Sequence, residues 1–181
     1  MPQEPDRILL RRAMDGDVQA YGDIVDRYQR LVYTAAFRIL ANHDDAQDAA
    51  QETFVRAYHS LDRFDHKRPF GPWIRRIAMN LSLNMLRQRR PEMQLEEERA
   101  APQSQALDPE TLAIRSEQRD FVKELLMRLP EHYRVAIVLR HYNEMSYAEM
   151  AEVLDEPMST VKSNLFRARR KLAEMMVSHE A

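Results

Sequence analysis

The sequence predicts an all-α protein: two small helical domains joined by a flexible acidic linker, the second a four-helix domain with a helix-turn-helix. Three observations carry this. Helix formers are abundant and glycine is scarce, 3 in 181 residues, a composition that disfavours sheets. Apolar residues recur at i, i+3, i+4 and i+7 over most of the chain. An acidic, proline-bearing stretch with no apolar period, Pro91 to about Pro109, separates two such runs.

The first domain is expected over residues 7–90. Residues up to about Asp6 read as a disordered lead, and Arg7 to Met14 as a short helix. Asp15-Gly16-Asp17 ends that helix, and Asp17 is placed to cap the next. From Val18 to Ala41, residues Tyr21, Ile24, Val25, Tyr28, Leu31, Val32, Ala35, Ala36, Ile39 and Leu40 make a core-facing stripe. Asn42-His43 reads as a turn and Asp44 as the cap of a helix to about Leu61, with Ala46, Ala50, Phe54, Ala57, Tyr58 and Leu61 inward. Its outward face holds Asp45, Asp48, Gln51, Glu52 and Arg56. Acids in a first turn suit the helix dipole, so this face needs no function to explain it. Asp62 to Arg68 is a polar, basic loop. A helix from Phe70 or Gly71 to Arg90 follows, with Trp73, Ile74, Ile77, Ala78, Leu81 and Met85 inward.

The linker is expected over residues 91–110 and the second domain over 111–177. Thr111 to Arg128 reads as a helix with Phe121, Val122, Leu125, Leu126 and Leu129 on its apolar face. Pro130 stands at a first helical position, ahead of Val135, Ala136, Val138, Leu139 and Tyr142. Ser146 and Glu149 form a capping box, and Met150, Val153 and Leu154 continue its helix. Asp155, Glu156 and Pro157 break it. Ser159 is placed to cap a second helix with Val161, Leu165, Phe166 and Ala168 inward. Met175 to Ala181 reads as a fraying tail.

A formal net charge of −2 hides a strong asymmetry. Arg63 to Arg90 holds eight basic residues and one acid, a local +7. Lys162 to Lys171 holds five basic residues and no acid, a local +5. Pro91 to Gln118 has two basic residues against seven acids, a local −5. Two basic patches flanking an acidic connector point to nucleic acid. The second helix of the helix-turn-helix presents Thr160, Lys162, Ser163, Asn164, Arg167, Arg170 and Lys171. Lysine and arginine neutralise phosphates, and short polar side chains approach base edges in the major groove. The loop holding Arg63, Phe64, His66, Lys67 and Arg68, followed by a helix with Trp73, Arg76, Asn80, Asn84 and Arg87, suits unpaired strand. There aromatics stack on bases and arginine tracks the backbone.

Several classes find no support. There is no cysteine, hence no disulfide framework or thiol nucleophile, which fits a reducing compartment. The N-terminus lacks the regions of a signal peptide. No run approaches the ~20 apolar residues of a membrane span, so a cytoplasmic protein is expected. No Gly-rich phosphate loop, His-Glu-x-x-His or Gly-x-Ser-x-Gly occurs. The six histidines do not fall at metal-ligand spacing. No cofactor, metal or catalytic constellation is expected.

Three blocks carry a family resemblance. Asp44-Asp45-Ala46-Gln47-Asp48-Ala49-Ala50-Gln51-Glu52-Thr53-Phe54-Val55-Arg56-Ala57-Tyr58 resembles the signature helix of bacterial sigma factors of the extracytoplasmic-function (ECF) group. Phe70-Gly71-Pro72-Trp73-Ile74-Arg75-Arg76-Ile77-Ala78-Met79-Asn80-Leu81 is similar to the next signature. Leu129-Pro130-Glu131-His132-Tyr133-Arg134 with Tyr147 to Arg170 is similar to the third. They stand in the family's order and spacing across nearly the whole chain.

The resemblance implies a transcription initiation subunit of RNA polymerase. It implies that Asp48, Gln51, Glu52 and Arg56 bind the clamp helices of the largest polymerase subunit. Arg63, Phe64, His66, Lys67, Arg68, Arg76, Asn80, Asn84 and Arg87 would take the melted −10 element. Ser159, Thr160, Lys162, Ser163, Asn164, Arg167 and Arg170 would read the −35 element as duplex. The second domain's other side would rest on the flap of the second-largest subunit. The linker would thread near the RNA exit path, and an anti-sigma factor would hold the protein inactive. Three positions depart from the pattern: Gln47 replaces an acid, Asp155 replaces a turn glycine, and the 62–68 loop has no glycine. Two other readings stay open: a polymerase-independent dimeric repressor using the same helix-turn-helix, and an enzyme acting on nucleic acid.

Overall fold

The computed structural model describes residues 4–93 and 115–180, with side chains over 4–89 and 121–177. Eight α-helices and no strand occur among the described residues. The chain divides into two compact units, Met1–Arg89 and Arg90–Ala181.

The first unit is built on α2 (Val18–Leu40), which packs against α1 (Asp6–Met14) and α3 (His43–His59). Asp17 caps α2 by accepting from the Ala20 N–H at 3.1 Å. Ile24, Val32, Ala36 and Ile39 are fully buried, at ~1.5–3 kcal/mol for each large aliphatic side chain. Leu9, Leu10 and Ala13 of α1 and Phe54 and Ala57 of α3 close the core. Tyr21 donates to the Phe54 carbonyl at 2.5 Å and meets the Tyr58 ring edge-on at 4.8 Å. Tyr58, expected inward, lies at the rim, 37% exposed.

Residues 4–6 are not a disordered lead. Arg12 bridges Glu4 and Asp17, and Asp6 accepts from Arg27 and Tyr28. Burial, then the Asp6 carboxylate, push the Tyr28 phenol up to about 12, which keeps it a donor. Residues 1–3 lie outside the described residues.

Ala41 leaves α2 in the left-handed region at φ 52°. Asn42, rather than Asp44, caps α3, its side chain accepting from the Asp45 N–H at 3.1 Å. A 3-10 turn, Leu61–Arg63, leads to α4 (Phe70–Met93). Helix α4 begins hard against α2: a Cβ on Gly71 would meet Tyr28 Cε1 at 3.2 Å, so glycine permits the approach. It runs through Pro91–Met93, which the sequence reading gave to the linker. Residues 94–110 of that linker, and 111–114 of the next expected helix, lie outside the described residues.

The second unit holds α5 (Arg115–Met127), α6 (Glu131–Ile137) extended by a π turn (Val138–Tyr142), α7 (Tyr147–Leu154) and α8 (Met158–Glu180). Pro130 is the N-cap of α6. Leu126, Leu129, Val138, Leu139, Met150, Val161 and Leu165 are almost wholly buried. Arg134 is buried with them and donates to the Leu129 carbonyl at 3.4 Å; burial lowers its pKa. Helix α8 continues to Glu180, so the expected fraying from Met175 is absent, and only Ala181 lies outside the described residues.

Candidate nucleic-acid and partner interfaces

The α7–α8 corner is set locally. Ser146 Oγ accepts from the Glu149 N–H at 3.2 Å while the Ser146 N–H donates to Glu149 Oε2 at 2.8 Å, a complete capping box. Asp155 ends α7 in the left-handed region at φ 54°, a conformation Asp tolerates better than most residues. The next helix opens at Met158, its first turn donating to the Pro157 carbonyl. Ser159, expected as a cap, is therefore exposed inside the first turn. Proline fixes its own φ near the helical value, so the chain enters the helix one residue sooner.

Val161, Leu165 and Ala168 are buried. Thr160, Lys162, Ser163, Arg167, Arg170 and Lys171 are exposed, and Asn164 is half-buried at the edge. Phe166, expected inward, is 68% exposed. It lies four residues from Lys162 and from Arg170, in the middle of the polar face. The buried stripe runs Val161, Leu165, Ala168, and a residue five after Val161 falls outside it. That arithmetic was available from the sequence. Arg170 pairs with Glu174 at 3.1 Å, whereas Lys162 and Arg167 have no ion-pair partner among the described residues.

The other basic surface lies in the first unit. Arg63, His66, Lys67 and Arg68 of the loop are exposed, as are Arg76, Asn80, Asn84 and Arg87 along one side of α4. Phe64 is the exception. It is 5% exposed and seated between Phe70 at 5.4 Å and Trp73 at 4.9 Å. The expected stacking aromatic is a core residue, and Trp73 behind it is half-buried. The loop has no glycine, and Asp65 shapes it instead: Oδ1 accepts from the Lys67 N–H at 3.0 Å and its carbonyl from the Arg68 N–H at 2.9 Å. Arg87 donates to Asn84 Oδ1 at 3.1 Å.

A third surface is the outer face of α3. Asp48, Gln51, Glu52 and Arg56 are all exposed, with Glu52 accepting from Arg56 Nε at 2.7 Å. Val55 shares this face at 51% exposure, an apolar residue ringed by charge that the sequence reading passed over. Asp45, read as outward, instead pairs with Arg89 near the end of α4. Among the described residues no group of His, Cys, Asp or Glu is arranged to hold a metal. None of their helices is long and apolar enough to cross a membrane.

Comparison with known proteins places this chain in a family. Residues 24–92 match the family model for Sigma-70 region 2, and residues 122–172 that for Sigma-70, region 4. The ECF RNA polymerase sigma factor SigW of Bacillus subtilis is 34% identical over 176 residues, covering 92% of this chain and 94% of that protein. The ECF RNA polymerase sigma-E factor of Escherichia coli K12 is 35% identical over 179 residues, covering 94% and 93%. Among solved structures, CnrH in complex with the cytosolic domain of CnrY is 32% identical with a TM-score of 0.53, covering 96% of this chain and 97% of that one. RpoE of Bartonella quintana, solved with the anti-sigma factor NepR, shares the fold at 24% identity and a TM-score of 0.56, covering 86% and 96%. The two units thus match two regions, 2 and 4, of one kind of protein, and the chain belongs to the ECF group of the sigma-70 family, the non-enzymatic initiation factors of bacterial transcription.

Proposed function

We propose that this protein binds core RNA polymerase and directs it to promoters read in two different states, the −35 element as duplex and the −10 element as melted strand. The observation that carries the reading is the pair of basic surfaces, on separate units and built differently. One is a single helix of a helix-turn-helix, shaped for a groove. The other is a short loop running into an exposed helical side, shaped for a strand.

In the second unit Lys162, Arg167 and Arg170 meet phosphates, and Ser159, Thr160, Ser163 and Asn164 approach base edges. Phe166 offers an apolar face of the kind that contacts thymine methyl groups. In the first unit Arg63, His66, Lys67 and Arg68 take a flipped base of the −10 element, and Arg76, Asn80, Asn84 and Arg87 follow the strand. Capture of flipped bases repays an unstacking cost of a few kcal/mol, by analogy with base-flipping enzymes. Asp48, Gln51, Glu52 and Arg56 bind the clamp helices of the largest polymerase subunit, with Val55 as their apolar centre. The second unit rests on the flap of the second-largest subunit. An anti-sigma factor of the kind seen with the Bartonella relative holds the protein inactive by covering these faces.

The test is run-off transcription by purified core polymerase on a promoter library, with and without this protein. Discrete new start sites are expected, lost on Asp48→Arg with Glu52→Arg. Lys162→Ala and Arg167→Ala are each expected to weaken use of an intact −35 element by about tenfold. Sequence-specific duplex binding by the protein alone, with no new transcripts, would replace this reading with the repressor.

A further inference from the structure

Lys162 differs from the other cations of α8 in what holds it. Its ammonium nitrogen lies 5.7 Å from the centre of the Tyr147 ring. The Arg140 guanidinium carbon lies 5.2 Å from the centre of the same ring. Arg140 is itself fixed, since Nη1 donates to the Met145 carbonyl at 2.7 Å. Tyr147 is the first residue of α7, directly after the capping serine. One half-buried ring therefore joins the π turn, the start of α7 and the second turn of α8.

A ring face attracts a cation within about 6 Å. A free lysine samples many rotamers and must give most of them up on meeting a phosphate. A lysine already held over a ring has given up part of that freedom. We propose that Tyr147 is a positioning residue for duplex recognition: its ring face, steadied by Arg140, presents the Lys162 ammonium to promoter DNA. The role rests on the reading of α8 as the −35 helix.

The test uses polymerase reconstituted with the full chain, and measures affinity for promoter DNA. Tyr147→Leu is expected to lower affinity about two- to fivefold, the scale of an exposed cation–π contact, while Tyr147→Phe restores it. In a Lys162→Ala background Tyr147→Leu is expected to add nothing. Nuclear magnetic resonance of the free protein supplies a readout that simple packing would not move: the Lys162 Cε protons should sit upfield in the wild type and return in Tyr147→Leu. Equal losses for Tyr147→Phe and Tyr147→Leu would overturn the role, since the hydroxyl would then be the agent. So would an additive loss in the Lys162→Ala background, or unshifted Lys162 protons in the wild type. Full affinity in Lys162→Ala alone would remove the duplex reading of α8 and this role with it, a result distinct from failure of the role by itself.

Discussion

Asp155 shows how one residue sets the angle between two helices. It closes α7 at φ 54°, where most L-residues lose about 1–2 kcal/mol. Its N–H donates to the Glu152 carbonyl, and that of Glu156 to the Ala151 carbonyl, which ties off the helix end. Asp155→Ala is expected to destabilise the second unit by about 1 kcal/mol, and Asp155→Gly to leave it unchanged or stabler, in urea titrations. Equal losses for both would mean that the side chain, not the backbone angle, matters. The turn was readable because Asp155 stands before Glu156-Pro157. Phe166 and Phe64 were misread for a shared reason. Aromatics are amphiphilic in use, and a single chain does not say whether a ring fills a core or waits for a base. Only the helical phase of Phe166 carried that information.

Helices were the most legible level. The apolar stripes of α2 and α8 follow their periods except at Leu31 and Phe166, which are exposed, and the capping box of α7 forms as its residues dictate. The errors fell at ends, where several residues compete for one role. Asn42, His43 and Asp44 stand in a row, and Asn42 wins because its side-chain oxygen reaches the Asp45 N–H. Junctions between helices carry information that periodicity lacks. Arg169 of α8 approaches Nε2 of His141 in the π turn at 3.3 Å. Burial, then Arg169 and Arg140, lower the His141 pKa below its usual 6.5. The folded unit thus holds this proton more weakly than the unfolded chain. The resulting stability is complete above pH ~6.5 and falls as pH drops from there through the lowered folded value. The second unit is expected to melt lower at pH 5.5 than at pH 7.5, with His141→Gln narrowing the gap. An unchanged gap in that variant would assign the pH response to other groups.

At the scale of the molecule, each unit has its own core, with Ile24 at the heart of one and Leu139 at the heart of the other. Calorimetry of the full chain is expected to show two transitions. Ile24→Ala should lower one and Leu139→Ala the other, each by about 2–5 kcal/mol at its own unit. A single transition moved by both would show that the units unfold as one. The division was legible from composition, because an acidic stretch without apolar period cannot bury a core. The pairing of Asp45 with Arg89 was not, because the two lie 44 residues apart in the sequence and nothing local joins them.

The loop between Phe64 and Phe70 is fastened at both ends. The two rings meet at 5.4 Å inside the core, and the five residues between them, Asp65 to Pro69, are all exposed. His66 meets the Phe64 ring edge-on at 5.3 Å, and substitutions at the other four are expected to leave the core intact, so long as the span stays the same. The segment is a cartridge in a fixed holder: it can be exchanged at the bench while the frame that carries it stays as it is.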